Sequence, residues 1–142
     1  MLLRDMLHVE LTTKPAPEEF NAFRNDILEF NNKYFNGAPK WICVLLKSDK
    51  GGVKGGGAAY VYSDTLFIDI LWVDEDLRGQ NYGTMLVQAM EEEGRKRKCT
   101  YVTVDTFDFQ AEPFYVKLGY QNIGTIPAWI NGHDRHFLKK TL

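Results

Sequence analysis

Between Leu66 and Thr84 the chain commits to a strand, a turn, a loop and a helix in immediate succession. Leu66-Phe67-Ile68-Asp69-Ile70-Leu71-Trp72-Val73 is an apolar run broken by one carboxylate, and Asp74-Glu75-Asp76 is an acidic turn. Leu77-Arg78-Gly79-Gln80-Asn81-Tyr82-Gly83-Thr84 then leads into a segment where Tyr82, Met85, Leu86, Ala89 and Met90 recur at helical spacing. A helix that opens straight after a glycine-bearing loop presents unpaired backbone N–H groups at the positive end of its dipole, a setting that favours an anion. Gly79 and Gly83 let a phosphate approach the backbone, and Arg78 adds charge. A diphosphate suits such a loop.

The remaining elements build a mixed sheet around this unit. Leu7 to Thr12 alternates loosely and reads as a first strand. Pro15-Ala16-Pro17-Glu18-Glu19 starts a helix, with Phe20, Phe23, Ile27, Phe30 and Tyr34 on one face and Asn36-Gly37-Ala38-Pro39 ending it. Trp41 to Leu46 reads as a strand buried on both faces. Lys47 to Gly52 supplies turn chemistry, and runs over 53–62 and 65–73 complete an antiparallel meander. Gly51 to Gly57 lacks the Gly-Lys-Ser/Thr ending of a nucleotide loop, so it reads as a turn entering a strand with close backbone approach.

After the central helix, Thr100 to Thr106 is β-branched and reads as a strand joined by a crossover, hence parallel to its predecessor. Ala111 to Leu118 is a short helix with Gly119 at its C-terminal cap. Tyr120 to Ile126 and His136 to Lys140 are closing strands separated by Pro127 to Gly132. Glu91/Arg95, Glu92/Lys96 and Glu93/Arg97 are i,i+4 pairs expected on a solvated helix end. The expectation is one domain over 1–142 of the α/β (α+β) class, with a mostly antiparallel sheet of six to seven strands flanked by helices.

With 44% hydrophobic and 25% charged residues, the composition is that of a globular chain. A formal charge of −2 gives no general attraction to nucleic acid. Arg4 and Asp5 interrupt the first residues too early for a signal-peptide core, and no apolar run reaches the ~18 residues of a membrane span. Cys43 and Cys99, without CxxC spacing, read as buried thiols of a reduced compartment, so a cytoplasmic protein away from membranes is expected. His133 and His136 are three apart with no third ligand, so no metal site is expected.

Two segments resemble the motifs of the GNAT superfamily of acyl-CoA-dependent N-acetyltransferases. Arg78-Gly79-Gln80-Asn81-Tyr82-Gly83 is similar to its Arg/Gln-x-x-Gly-x-Gly/Ala loop, with Asn81 at the middle glycine; Asn tolerates positive φ better than other non-glycine residues. Asp108-Phe109-Gln110-Ala111-Glu112-Pro113-Phe114-Tyr115-Val116-Lys117-Leu118-Gly119-Tyr120 resembles Asn-x-x-Ala-x-x-x-Tyr-x-Lys-x-Gly-Phe, with Asp108 in place of Asn. Both stand in the expected order and spacing.

The resemblance implies an enzyme that moves an acetyl group from acetyl-CoA to a primary amine of a small molecule or peptide, by direct attack in a ternary complex. It implies that Arg78, Gly79, Gln80, Asn81, Tyr82, Gly83 and Thr84 hold the cofactor diphosphate. Leu71, Trp72 and Val73 would offer strand backbone to pantetheine and an oxyanion donor, and Asp108 stands where the family's Asn contacts cofactor. Tyr115 matches the family's thiolate-protonating tyrosine. Asp69, the lone charge in its strand and read as sharing a face with Leu71 and Val73, is the candidate base; a salt-bridged structural Asp69 stays open beside it, with Asp105, His133 and His136 as competitors. A homodimer is compatible with exposed sheet edges. A non-catalytic acyl-CoA-binding module on the same fold is the alternative, kept open by Asn81 and Asp108.

Overall fold

The structure, a computed structural model, describes residues 4–142. Met1, Leu2 and Leu3, part of the segment read as too charged for a signal core, lie outside the described residues. The chain divides into two compact units between Tyr34 and Phe35. The first holds helix α1 (Pro17–Asn31), opened by Pro17 with Glu18 and Glu19 in its first turn, as the sequence dictates. Phe20 and Phe23 meet edge to face with centroids 5.3 Å apart. The expected strand over 7–12 is absent. A loose alternation of three apolar residues does not hold a strand without a ladder partner.

The second unit is a six-stranded sheet in the order β1-β2-β3-β4-β6-β5: β1 (Lys40–Lys47), β2 (Val53–Tyr62), β3 (Thr65–Val73), β4 (Tyr101–Phe107), β5 (Gln121–Ile130) and β6 (His133–Thr141). Every neighbouring pair is antiparallel except β3 and β4, joined by helix α2 (Tyr82–Lys96). Helix α3 (Glu112–Lys117) links β4 to β5. The core lies where α2 and α3 meet the sheet and includes Ala59, Leu66, Ile68, Val87, Met90, Val102, Tyr115 and Leu138. Gly57 explains the closeness of α2: a Cβ there would stand 2.7 Å from the Met90 methyl.

Several expectations are corrected. β1 is an edge strand whose residues alternate between exposed and half-buried, because one face, with Ile42 and Val44, packs on the core while the other, with Trp41 and Leu45, does not; Cys43 is on the outer face and exposed, while Cys99 is buried. β5 runs through Pro127 to Ile130, and β6 begins at His133, which narrows the expected loop to a tight turn. Three β5 residues, Pro127, Ala128 and Trp129, bulge opposite Asp134, whose Oδ1 accepts the Ala128 N–H at 2.9 Å. On α2, Glu93 pairs with Arg97 at 2.8 Å as expected, but Glu92 reaches Arg95 instead of Lys96. Glu91 is 2% exposed and belongs to the interior.

Candidate active site

A fork in the sheet defines the site. The β3–β4 ladder ends at Ile68 and Val104, while β3 runs on to Val73 and β4 stays paired with β6 out to Phe107. Beyond Ile68, the edge of β3 that faced β4 has lost its hydrogen-bonding partner. A bulge marks the same place: Ala59 faces Ile68 and Ala58 faces Ile70, leaving Asp69 without an opposite residue on β2. An extra residue bends the strand and increases its local twist, which drives β3 away from β4.

The loop after β3 carries the chain to the N-terminus of α2. Asn81 takes the left-handed conformation at φ 69°, so it fills the backbone role of the glycine it replaces. Its carbonyl accepts the first intrahelical bond, from the Met85 N–H at 3.0 Å. The N–H groups of Tyr82, Gly83 and Thr84 precede that bond and have no intrahelical acceptor. Arg78 is braced: its Nε donates to the Val73 carbonyl at 3.0 Å, and its guanidinium lies 4.6 Å from the Trp72 ring centroid. Trp72 Nε1 in turn donates to Asp74 Oδ1 at 3.3 Å. Gln80 Nε2 donates to the Asp76 carbonyl at 3.4 Å.

The fork and the helix N-terminus open into one cavity of about 880 Å³. Of the expected cofactor residues, Leu71, Trp72, Val73, Arg78, Gly79, Asn81, Tyr82, Gly83 and Thr84 line it. The opposite wall is Phe109, Gln110, Ala111, Phe114, Lys117 and Leu118, with Glu75 and Leu77 at the turn. Gln110 Oε1 accepts the Phe107 N–H at 2.8 Å, and Thr106 Oγ1 accepts the Ala111 N–H at 3.2 Å, so this wall is wired to the end of β4. Phe109, Gln110 and Phe114 were not singled out from sequence; only their place inside the second motif marked them.

Gln80 and Asp108 do not line the cavity, and neither do the expected catalytic residues Asp69 and Tyr115, the latter standing behind Phe114. Asp108 turns toward the β5–β6 hairpin, where Oδ1 meets His133 Nδ1 at 2.8 Å and Oδ2 accepts the Asp134 N–H at 3.0 Å. That backbone bond, followed by His133, holds its carboxyl below the ordinary carboxylate range against the opposing effect of desolvation. His136 bonds Thr125 Oγ1 through Nδ1 at 2.8 Å and approaches Glu112 Oε2 at 3.3 Å through Nε2.

Tyr115 is 4% exposed on α3, its ring edge-on to Phe114 and Tyr120. Burial, then the Asp105 carboxylate, pushes its phenol up to about 12, so the hydroxyl stays protonated at neutral pH. Asp69 is exposed, not buried: the bulge leaves both Asp69 and Ile70 exposed while Leu71 packs on the core, so Asp69 does not share the face of Leu71. Among the described residues no salt bridge involves Asp69, whereas Asp105 is held by Arg135 at 3.0 Å from Nε and 2.9 Å from Nη2. Both carboxylates act on Tyr60, whose phenol is raised by burial first and then by Asp69 and Asp105. Among the described residues no three His, Cys, Asp or Glu side chains converge as a metal site.

A parallel strand pair forked at a bulge, with an anion-seeking helix start in the gap, is a distinctive arrangement, and comparison with known proteins assigns it. The model of the acetyltransferase (GNAT) family matches residues 3–120. The chain belongs to the GNAT family. It is thus an acetyltransferase by family, and its six-stranded mixed sheet with three helices is the GNAT fold. Blasticidin-S acetyltransferase of Streptomyces morookaense is 36% identical over 95 residues, 66% of this chain and 70% of that protein. An acetyltransferase structure from Bacillus cereus superposes with a TM-score of 0.85 at 29% identity, covering 96% of this chain and 98% of the other. An aminoglycoside 6'-N-acetyltransferase solved with coenzyme A shares the fold, with a TM-score of 0.63 at 21% identity over 88% of this chain and 83% of its own. GNAT members draw their acetyl group from acetyl-CoA.

Proposed function

We propose that this protein transfers an acetyl group from acetyl-CoA to a primary amine, by direct attack while both substrates are bound. The observation that carries the proposal is the cavity in which the unpaired N–H groups opening α2 and the unpaired edge of β3 face a common space. Those donors fit an extended ligand with a diphosphate at one end and amide groups along its length. Acetyl-CoA supplies an acyl thioester there. Tyr82, Gly83 and Thr84 would hold the diphosphate through backbone N–H groups, with Arg78, Gly79 and Asn81 shaping the loop. Backbone from Leu71 to Val73 would bond pantetheine, and one N–H of that stretch would stabilise the oxyanion. Gln80 contributes through its backbone position in the loop. Asp108 drops out of the cofactor set, because both of its oxygens are engaged by the hairpin.

Tyr115 is the proposed donor to the departing thiolate, a role its protonated phenol supports. Asp69 is the proposed acceptor of the ammonium proton; among the described residues no salt bridge engages it, which favours it over Asp105, which Arg135 holds. The blasticidin-S relative supports a small-molecule acceptor ahead of a peptide. We read 1–142 as one domain, which the family match across both units supports. No described helix is long and apolar enough to cross a membrane, and we place the enzyme in the cytoplasm. A homodimer formed through the sheet edges β1 or β5 completes the proposal.

Purified protein is mixed with acetyl-CoA and a panel containing blasticidin S, an aminoglycoside, a polyamine and an amino-terminal peptide, and free thiol is followed. Thiol release matched by an acetylated amine in the mass spectrum is expected. Thermal stabilisation by acetyl-CoA with no turnover on any amine would instead make the protein an acyl-CoA-binding module. Absence of both stabilisation and turnover would overturn the cofactor assignment itself.

A further inference from the structure

Glu91 is the most deeply buried charge among the described residues, and the proposed chemistry does not use it. It sits midway along α2, 2% exposed, and its carboxylate collects three contacts. Tyr120 donates its O–H to Oε2 at 3.2 Å, and Lys140 Nζ lies 2.8 Å from Oε2 and 3.1 Å from Oε1. The Lys140 ammonium is also 5.6 Å from the centre of the Tyr120 ring. One carboxylate therefore ties α2 to β6 and to the residue that follows the C-terminal turn of α3.

As a source of stability such a group is a poor choice. Burying an ion pair costs much of what its attraction returns, and apolar replacements of similar volume are often neutral or stabilising. What the network does supply is a fixed position for Tyr120. The ring of Tyr120, 2% exposed, is held at its far end by Glu91. It packs edge-on against Tyr115, with centroids 5.4 Å apart and planes at 70°. At its near end, the Tyr120 N–H donates to the Tyr115 carbonyl at 3.1 Å, and Gly119, at φ 96°, donates to Val116, closing the helix around that turn. Tyr115 is thus confined between Phe114 at 5.0 Å and a Tyr120 ring that cannot tilt without breaking its bond to Glu91.

We infer that Glu91 and Tyr120 are positioning residues for the proposed proton donor: the Tyr120–Glu91 hydrogen bond fixes the ring that holds Tyr115 in place on α3, directly behind the cavity wall formed by Phe114, Lys117 and Leu118. This rests on Tyr115 being the donor. The phenolic O–H of Tyr115 acts only if it stays aligned with the leaving sulfur, and small misplacements of a reacting group cost rate out of proportion to their size. Because Glu91 is on the helix whose first turn lines the cavity, the same bond also sets the donor in register with that helix.

The test is a double-mutant cycle in the full chain with acetyl-CoA and the best amine of the panel. Tyr120→Phe keeps the ring and leaves Glu91 paired with Lys140. We expect kcat to fall about five- to tenfold, with the KM for acetyl-CoA unchanged within about twofold. In the Tyr115→Phe background the same change should lower kcat no further, since there is no donor left to misplace. Glu91→Gln, which keeps an oxygen for the Tyr120 O–H and removes only the charge, should melt lower yet lose less kcat than Tyr120→Phe. Full kcat in Tyr120→Phe, losses that multiply in the double variant, or a larger kcat loss in Glu91→Gln each overturn the positioning role. Undiminished kcat in Tyr115→Phe alone is a different failure: it removes the donor role from Tyr115, and the inference falls with it.

Discussion

Gly83 is where the cofactor assignment is most exposed to refutation. It is in the first turn of α2, faces the cavity, and has its own N–H among the three that open the helix. A Cβ built there would stand 3.3 Å from Phe114 Cζ and 3.5 Å from Cε2. Carbon atoms prefer about 3.5–4.0 Å, so alanine asks the Phe114 ring to give by only a few tenths of an ångström. Valine adds two further methyl groups, which either push Phe114 into the cavity or occupy the approach to the N–H themselves. The helix itself tolerates the change, since valine is a better helix former than glycine by a few tenths of a kcal/mol. A hydrogen bond between an N–H and a charged oxygen contributes about 1.5–3 kcal/mol. Losing one therefore weakens CoA binding at least about tenfold, equivalent to 1.4 kcal/mol. Titration calorimetry with CoA on wild type, Gly83→Ala and Gly83→Val should show graded loss, with melting curves showing that each variant is folded. A folded Gly83→Val that binds CoA with wild-type affinity would place the diphosphate elsewhere and refute the reasoning.

Tyr115→Phe should lower kcat by about 10²-fold with little change in acetyl-CoA affinity, read from initial rates and calorimetry. Because the Tyr115 phenol is raised to about 12 in the fold against 10.0 ordinarily, its stabilising contribution is complete below pH 10 and is lost as pH rises through about 12; Tyr115→Phe should remove roughly 3 kcal/mol of that alkaline fall in denaturant titrations. Asp69→Asn should lose kcat and the acidic limb of the pH–rate profile while retaining CoA binding, and His133→Gln should keep that limb; the reverse pattern would move the base to the hairpin. Asp108 is held below the ordinary carboxylate range, so its contribution is present above that range and is lost as pH falls through its lowered value. Asp108→Ala should accordingly speed hydrogen exchange at the Asp134 amide at neutral pH, and unchanged exchange would deny that the carboxylate anchors the hairpin.

The sequence was most readable where local chemistry and fold agree. Strands 53–62 and 65–73, the helix after the glycine loop and the cap at Gly119 all follow from periodicity and turn residues, because each is specified within its own segment. The positive φ of Asn81 was legible for the same reason. Features that depend on a distant partner were not. Asp69 read as a buried charge because strict alternation was assumed, and a bulge, which is a property of the β2–β3 register, moved it to the surface. Glu91 read as one of three solvated glutamates, since nothing within α2 announces that Lys140 and Tyr120 will meet it. Asp108 occupied the right motif position, but its carboxylate was claimed by a hairpin 25 residues further along, at His133. Trp41 to Leu46 reads as buried by composition, yet only the face with Ile42 and Val44 meets the core.

The central claim is that the N-terminus of α2 and the forked edge of β3 together hold CoA. Mapping backbone amide shifts of the nitrogen-labelled protein as CoA is added tests it most directly. The largest changes are expected at Gly79, Asn81, Tyr82, Gly83 and Thr84, with a second set at Leu71, Trp72 and Val73. Changes gathered instead around the separate cavity lined by Asn36, Lys40, Ser63 and Arg97, with the α2 N-terminus unmoved, would contradict it.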